Sequence, residues 1–323
     1  MSALLTTSVG SFPKPEYLSR ARTKASKGDL STEGLREFEE RATEEWIRFQ
    51  EEIGIDILVD GEQYRGDMAT YFAENIEGTE ISGLVRSYGN RYYKKPIIVD
   101  ELRLRGPISV DWFKFAQAKT DRPVKGMITG PYTMMDWSFD EYYGSRADAC
   151  LAFAKLLHRE AVALEAAGAK VVQVDEPALS TRFDELPLLV KAVGIVTKGL
   201  EAKTVLHTCY GNYNEIFEYF NKLPVDQLDL EMSNSELDLI DRFKRVPLQK
   251  EIAFGVVDVH SHVIEPETLI RERIEKALTI FEPSKLVIDP DCGLKTRSVE
   301  EAQGKLRNLV GAARAARHAH GWT

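Results

Sequence analysis

The residues whose types and spacing could bind a metal or move a proton include His207-Thr-Cys209, Glu231, His260-Ser-His262 and Cys292. His207, Cys209, Glu231 and Cys292 are the ligand types of a zinc site, and a His-x-Cys pair on a strand can aim both side chains at one ion because residues two apart share a face. The spacing alone leaves alternatives open. A free cysteine is most often a buried core residue, and Cys150, inside a helical apolar stretch, reads that way. His260 and His262 form a competing ligand pair of the kind hydrolytic zinc barrels use, though no second His-rich cluster accompanies it. The donor set itself points to a chemistry. Zinc with two thiolates, a carboxylate and a neutral imidazole carries a formal charge of about −1, which makes it a poor activator of water. Such a centre suits an incoming thiol, which loses its proton on coordination and stays nucleophilic. That is alkyl transfer onto sulfur. A closed structural zinc is the bland alternative, but its ligands are usually paired closely in sequence.

The elements that must position these residues are short apolar runs separated by stretches of helical periodicity: Leu4–Val9, Ile55–Asp60, Val124–Thr129, Lys170–Asp175, Lys203–Thr208, Gln227–Met232, Glu251–Val259 and Lys285–Asp289. Repeated βα units imply a parallel sheet, and near-continuous Val/Ile/Leu runs suit strands covered on both faces. The expected fold is α/β, a single (β/α)8 TIM barrel over 1–323, with a doubly wound sheet as the alternative. An insertion of about 65–123 separates the second and third strands, with 85–93 and 96–104 as the arms of a hairpin. Ser145 and Ser298 open helices with capping boxes, and Gly168 ends the first of these helices. After the strands come Gly10-Ser11, Gly61-Glu62, Gly130-Pro131, Asp175-Glu176, His207-Thr-Cys209, Glu231, Asp258-Val-His260 and Asp289-Pro-Asp-Cys292. In a barrel these ends meet at one mouth.

Composition narrows the function classes. The chain has 323 residues, is 43% hydrophobic and 29% charged, and has a net charge of −9. It can bury a large core without disulfides, and its charge disfavours nucleic acid and anionic membranes as partners. Three cysteines suggest a reducing compartment, so a cytoplasmic location is expected. No basic leader and no apolar run of spanning length is present.

Nearly the whole chain resembles the C-terminal catalytic barrel of the cobalamin-independent methionine synthase family. The resemblance runs through Thr6-Thr-Ser-Val-Gly-Ser-Phe-Pro13, Asp60-Gly-Glu-Gln63, Val124-Lys-Gly-Met-Ile-Thr-Gly-Pro131, Asp136-Trp-Ser-Phe139, Val174-Asp-Glu-Pro-Ala-Leu179, His207-Thr-Cys-Tyr-Gly211, Leu230-Glu-Met-Ser233, Gly255-Val-Val-Asp-Val-His-Ser261 and Asp289-Pro-Asp-Cys-Gly-Leu-Lys-Thr-Arg297. It implies zinc ligands His207, Cys209, Glu231 and Cys292, and homocysteine held at Val9, Gly10 and Ser11 with Glu62 and Asp175 on its ammonium group. It also implies His260 as proton donor to the departing donor group, and Trp137 and Arg91 on the methyl donor. His262 has no counterpart in the family pattern.

Two departures shape the expected donor. The family's full-length enzyme carries an additional N-terminal barrel, and the acid that would bind a pterin is replaced here by Thr181, which cannot satisfy a donor pair bidentately. Arg91-Tyr92 matches the family's Arg-Cys only in part. The expectation is therefore a zinc-dependent methyltransferase converting homocysteine to methionine, with methylcobalamin or a methylated corrinoid carrier protein as donor. The alternatives are 5-methyltetrahydrofolate as donor, perhaps with an accessory protein, a thiol alkyltransferase acting on coenzyme M, a zinc-dependent barrel hydrolase, or a non-catalytic zinc module.

Overall fold

The apolar runs form short parallel strands with both faces covered, and every residue of the strands at 126–129, 171–175, 227–230 and 286–290 is buried. The computed structural model describes residues 3–86, 92–180, 182–209, 213–233 and 238–322. In chain order the elements are β1 (Leu5–Thr6), α1 (Glu16–Ser26), α2 (Thr32–Ile53), α3 (Met68–Glu74), β2 (Ile76–Arg86), β3 (Tyr92–Leu104), α4 (Val110–Gln117), β4 (Gly126–Thr129), α5 (Pro131–Asp136), β5 (Phe139–Asp140), α6 (Arg146–Ala166), β6 (Val171–Asp175), α7 (Leu186–Thr197), β7 (Lys203–Thr208), α8 (Tyr213–Ile216), β8 (Gln227–Leu230), α9 (Asp238–Arg245), β9 (Glu251–Val257), α10 (Glu267–Leu278), β10 (Leu286–Pro290) and α11 (Val299–Ala319). A seven-stranded sheet runs β1-β10-β9-β8-β7-β6-β4 and a second sheet runs β2-β3-β5. The α/β class and the strand–helix alternation are as expected.

Two compact units divide the chain, one from 1–64, 112–125 and 229–323, the other from 65–111 and 126–228. In the first, β1 pairs parallel with β10 (Leu5↔Val287) and β10 with β9 (Ile288↔Phe254), with a register shift at Asp289/Pro290 just before Cys292. In the second, β4, β6 and β7 are parallel, and Asp175 sits in register with Thr129 on one side and His207 on the other. Ser298 and Glu301 close a reciprocal capping box on α11. At α6 only half of the expected box forms, Ser145 Oγ accepting from Asp148 N at 3.4 Å, and the helix ends before Gly168, whose φ is +104°.

The second expected strand, 55–60, does not form. It contributes one bridge, Leu58↔Val124. Side chains take the backbone groups that a longer ladder would pair. Gln50, fully buried, donates Nε2 to Val59 O (2.8 Å) and accepts from Val59 N (3.0 Å) through Oε1. Asp56 Oδ2 accepts from Thr6 N and Oγ1 at 2.7 and 2.8 Å. Gln50→Leu would leave the Val59 N–H and C=O buried and unpaired, and the expected destabilisation is about 2–4 kcal/mol, read from the denaturant midpoint.

The inserted hairpin forms, but with a different first arm. β2 occupies 76–86 rather than 85–93, and pairs antiparallel with β3, which contains the expected second arm. Residues 87–91 lie outside the described residues. β2 is polar and largely exposed, so no apolar run marks it. Its register shifts around Gly78 (φ +85°), where a Cβ would stand 2.5 Å from Glu101 O. Among the described residues, no helix is long and apolar enough to cross a membrane.

Candidate metal centre and active site

β7 carries His207 near its C-terminal end, and Cys209 follows directly; both are buried, with 3% and 4% of their surface exposed. On the neighbouring strand Asp175 is also buried, and its Oδ1 accepts from Gln173 Nε2 at 2.7 Å. Two residues apart on β6, these side chains share a face, so Gln173 orients the carboxylate. The next residue, Glu176, serves the backbone. It accepts from Tyr132 N (2.9 Å), Thr133 N (2.7 Å) and Thr133 Oγ1 (2.6 Å) at the N-terminus of α5. Complete burial pushes its carboxyl up to about 7, while these three hydrogen bonds act in the opposite direction. Gly130 permits the contact, because a Cβ there would lie 2.2 Å from Glu176 Cδ. Glu176 thus fixes α5 to the end of β6, and α5 delivers Trp137 as its C-terminal cap. Trp137 is half-buried beside Tyr93 (ring centroids 5.9 Å, 52° between planes), and Tyr93 Oη donates to Trp137 O at 3.3 Å. Arg91 and Thr181, expected to bear on the donor, lie outside the described residues.

Val9, Gly10 and Ser11 follow β1. Ser11 O accepts from Leu294 N (2.7 Å), and Phe12 N donates to Gly61 O (3.0 Å). The glycine after Cys292 packs closely on Ser11, since a Cβ on Gly293 would sit 2.1 Å from Ser11 Oγ and displace that hydroxyl. Glu62 adopts φ +53°, a left-handed conformation unusual for a non-glycine residue and a mark of functional sites. Its N–H donates to Asp60 Oδ1 (2.9 Å), Asp60 Oδ2 accepts from Tyr64 Oη (2.8 Å), and Lys14 Nζ donates to Glu62 O (3.3 Å). Burial lowers the Lys14 ammonium to about 8, with Arg22 adding to the shift.

Glu231 Oε1 lies 3.1 Å from His260 Nε2, and this hydrogen bond, followed by neighbouring negative charge including that of Cys292, raises the His260 pKa against the effect of burial. His262 turns elsewhere, its Nδ1 reaching Glu301 Oε1 at 2.9 Å, so the two imidazoles of His-x-His diverge and do not make a ligand pair. Asp291 is buried and accepts from Met232 N (3.1 Å), Ser233 N (2.9 Å) and Ser233 Oγ, which holds the chain just after Glu231. Burial pushes the Asp291 carboxyl up to about 7.

His207, Cys209 and Cys292 each offer one ligand atom, and these atoms lie within 4.8 Å of one another. Ligands of a tetrahedral zinc stand about 3.4–3.8 Å apart, given bonds of about 2.0–2.3 Å. An imidazole and two cysteine sulfurs gathered within 4.8 Å are a candidate ligand set for that ion, which would draw the widest pair closer. Glu231, the fourth expected ligand, has its carboxylate against His260. Cys150 is fully buried within α6, and burial holds its thiol far above the usual range, as a core residue requires. The sequence reading gives Glu176, Asp291 and Gly293 no role of their own, although each lies next to a residue that has one.

The description "Cobalamin-independent synthase, Catalytic domain" belongs to the family model that matches residues 4–315. A methionine synthase of Pyrococcus furiosus is 40% identical over 97% of this chain and 93% of its own length. A 5-methyltetrahydropteroyltriglutamate–homocysteine methyltransferase of Chelativorans is 39% identical, with 97% of this chain covering 42% of that longer protein. Among solved structures, a B12-independent methionine synthase of Shewanella in complex with selenomethionine superposes with a TM-score of 0.90 at 29% identity, over 99% of both chains. These findings correct the expected donor. A cobalamin-independent family overturns methylcobalamin and a corrinoid carrier protein alike. The expectation rests on the additional N-terminal barrel of the full-length enzyme and on Thr181, yet a pterin's donors can be met by other acceptors than one side chain.

Proposed function

We propose, for a chain that belongs to the catalytic-domain family of the cobalamin-independent synthases and is a methyltransferase, that it moves the methyl group of 5-methyltetrahydrofolate to homocysteine and forms methionine. The observation that carries this reading is the approach of His207, Cys209 and Cys292 ligand atoms to within 4.8 Å, a thiolate-rich set suited to a thiol substrate. His207, Cys209, Cys292 and Glu231 would hold zinc, which when bound keeps a thiol deprotonated and nucleophilic. Support for the product comes from the selenomethionine bound to the Shewanella relative.

Each remaining residue has a share in the reaction. Asp175 and Glu62 accept from the homocysteine ammonium, while the Val9–Ser11 turn lies against the Cys292 loop through Gly293 and Leu294 and shapes the rest of the amino-acid site. Trp137 offers a flat face for the pterin. The S–CH3 bond forms as the N5–CH3 bond breaks, and the proton that N5 then needs comes from His260. We take 1–323 as one catalytic domain with an insertion at about 65–123. A reducing compartment, the cytoplasm, is the location that its three cysteines support.

The test is methionine formation by purified, zinc-loaded protein, with mono- and triglutamyl methyl-folates and methylcobalamin compared side by side. Turnover with a methyl-folate is expected. Turnover with methylcobalamin alone would overturn the donor, and no methionine from any of them would overturn the acceptor. A narrower expectation concerns the ammonium site. Asp175→Asn and Glu62→Gln each weaken a charge-assisted hydrogen bond worth about 1.5–3 kcal/mol, so KM for homocysteine should rise roughly 10- to 150-fold. Metal content should stay unchanged in both variants.

A further inference from the structure

Lys305 is the most deeply buried cation of the first unit, with a side-chain exposure of 0% in the middle of α11. All three of its ammonium protons are used. They go to Glu265 Oε2 (2.7 Å), Asp258 O (2.8 Å) and Val263 O. Asp258 and Val263 flank His260. The loop between β9 and α10 is therefore tied at both of its shoulders to one ammonium group.

The same anchor reaches the loop by further bonds. Glu265 Oε1 accepts from Asp258 N (2.7 Å), and Asn308, one turn after Lys305 on α11, donates to Glu265 O (2.7 Å). Asp258 Oδ1 in turn accepts from His260 N (2.7 Å) and Ser261 N (3.3 Å), folding the loop so that the imidazole reaches Glu231. Gly304 completes the fit, since a Cβ there would stand 2.7 Å from Ile264 Cδ1. A glycine inside a helix costs stability, and here it lets the loop lie directly on α11.

A core that needed only stability would not require this arrangement, because a buried ion pair contributes less than an apolar pair of the same volume once both charges are desolvated. What it does supply is one defined geometry. We infer that Lys305 is a positioning residue for His260, acting with Glu265 to hold the 258–263 loop so that the imidazole is placed for proton donation. The inference rests on the proposed role of His260.

The test uses the zinc-loaded full chain and Lys305→Met, which keeps the length of the side chain and removes its donors. Two readouts separate the inference from the reading beneath it. The first is hydrogen exchange at the amides of 258–264, expected to accelerate at least tenfold in Lys305→Met while α6 and β6 exchange as in the unmodified protein. Unchanged exchange in the loop would overturn the inference whatever His260 does. The second is a double-mutant cycle on kcat. Lys305→Met should lower kcat at least tenfold with KM for homocysteine and metal content unchanged, and should have less than a twofold effect when added to His260→Ala. Equal losses in both backgrounds would show that Lys305 acts on stability alone and would overturn the inference. A His260→Ala protein as fast as the unmodified one would instead sink the role assigned to His260. Should Lys305→Met fail to fold, Glu265→Gln, which keeps the shape and presents an amide proton to one of its two donors, is put through the same measurements with the same expected outcomes.

Discussion

Cys292→Ser is expected to lose its zinc and its methyl transfer together, with metal content falling from about one ion per chain to a small fraction of that and activity falling at least 1,000-fold. Four ligands share an apparent zinc binding energy of about 10–16 kcal/mol, so one thiolate accounts for about 2.5–4 kcal/mol, roughly 70- to 900-fold in affinity. A serine hydroxyl stays protonated at neutral pH and does not replace it. Activity should fall further than occupancy, since any metal that remains would lack half of the thiolate charge. Cys209→Ser should behave alike, because its ligand atom belongs to the same group of three. Cys150→Ser is the control. That thiol is fully buried in α6, and its replacement should affect folding stability but leave metal per folded chain unchanged. Elemental analysis of the three purified variants decides the matter, and unchanged zinc in Cys292→Ser would remove the metal centre from the reading.

The legibility of this site in the sequence follows the range of the interactions that build it. His207 lies on β7 and Cys209 directly after its end, two positions away, so their pairing is visible locally, and the all-buried strands announce themselves as apolar runs. Groups that orient the site are another matter. Glu176 meets Tyr132 44 positions away, Asp291 meets Met232 at 59, and Lys305 meets Asp258 at 47. Nothing in the neighbourhood of any one of them reveals its partner. Strand 55–60 departs from its pattern for a related reason, since the side chains of Gln50 and Asp56 take up backbone groups that periodicity assigns to a ladder. In the hairpin, β2 is a strand held by backbone pairing with β3 and has no apolar pattern to read. The donor is hard to read on other grounds: two departures, the family's additional N-terminal barrel and Thr181, stand against a resemblance spread over the whole chain. Residue chemistry points to a thiol acceptor because sulfur chemistry demands a particular ligand set, whereas homocysteine itself comes from the resemblance and a pterin can be bound in many ways.

His260→Ala carries the donor question into kinetics. With a methyl-folate the leaving group is a tertiary amine nitrogen, which departs as a strongly basic anion unless a proton reaches it as the N5–CH3 bond breaks. A placed general acid contributes about 100- to 10,000-fold, so His260→Ala should lower kcat by that amount. KM for homocysteine should hold, because Asp175 and Glu62, proposed to bind its ammonium, are untouched, and zinc content should hold because His207, Cys209 and Cys292 remain. The imidazole is about one-third exposed (34%), so a small acid can enter the space it leaves, and added imidazole should restore part of the rate. A donor whose leaving group is stable without a proton, such as a corrinoid, would leave His260→Ala nearly as fast as the unmodified protein. Rate loss without rescue would point to a positional effect on Glu231, the residue His260 touches at 3.1 Å. Rate loss with imidazole rescue, seen with methyl-folate, would assign the proton to His260.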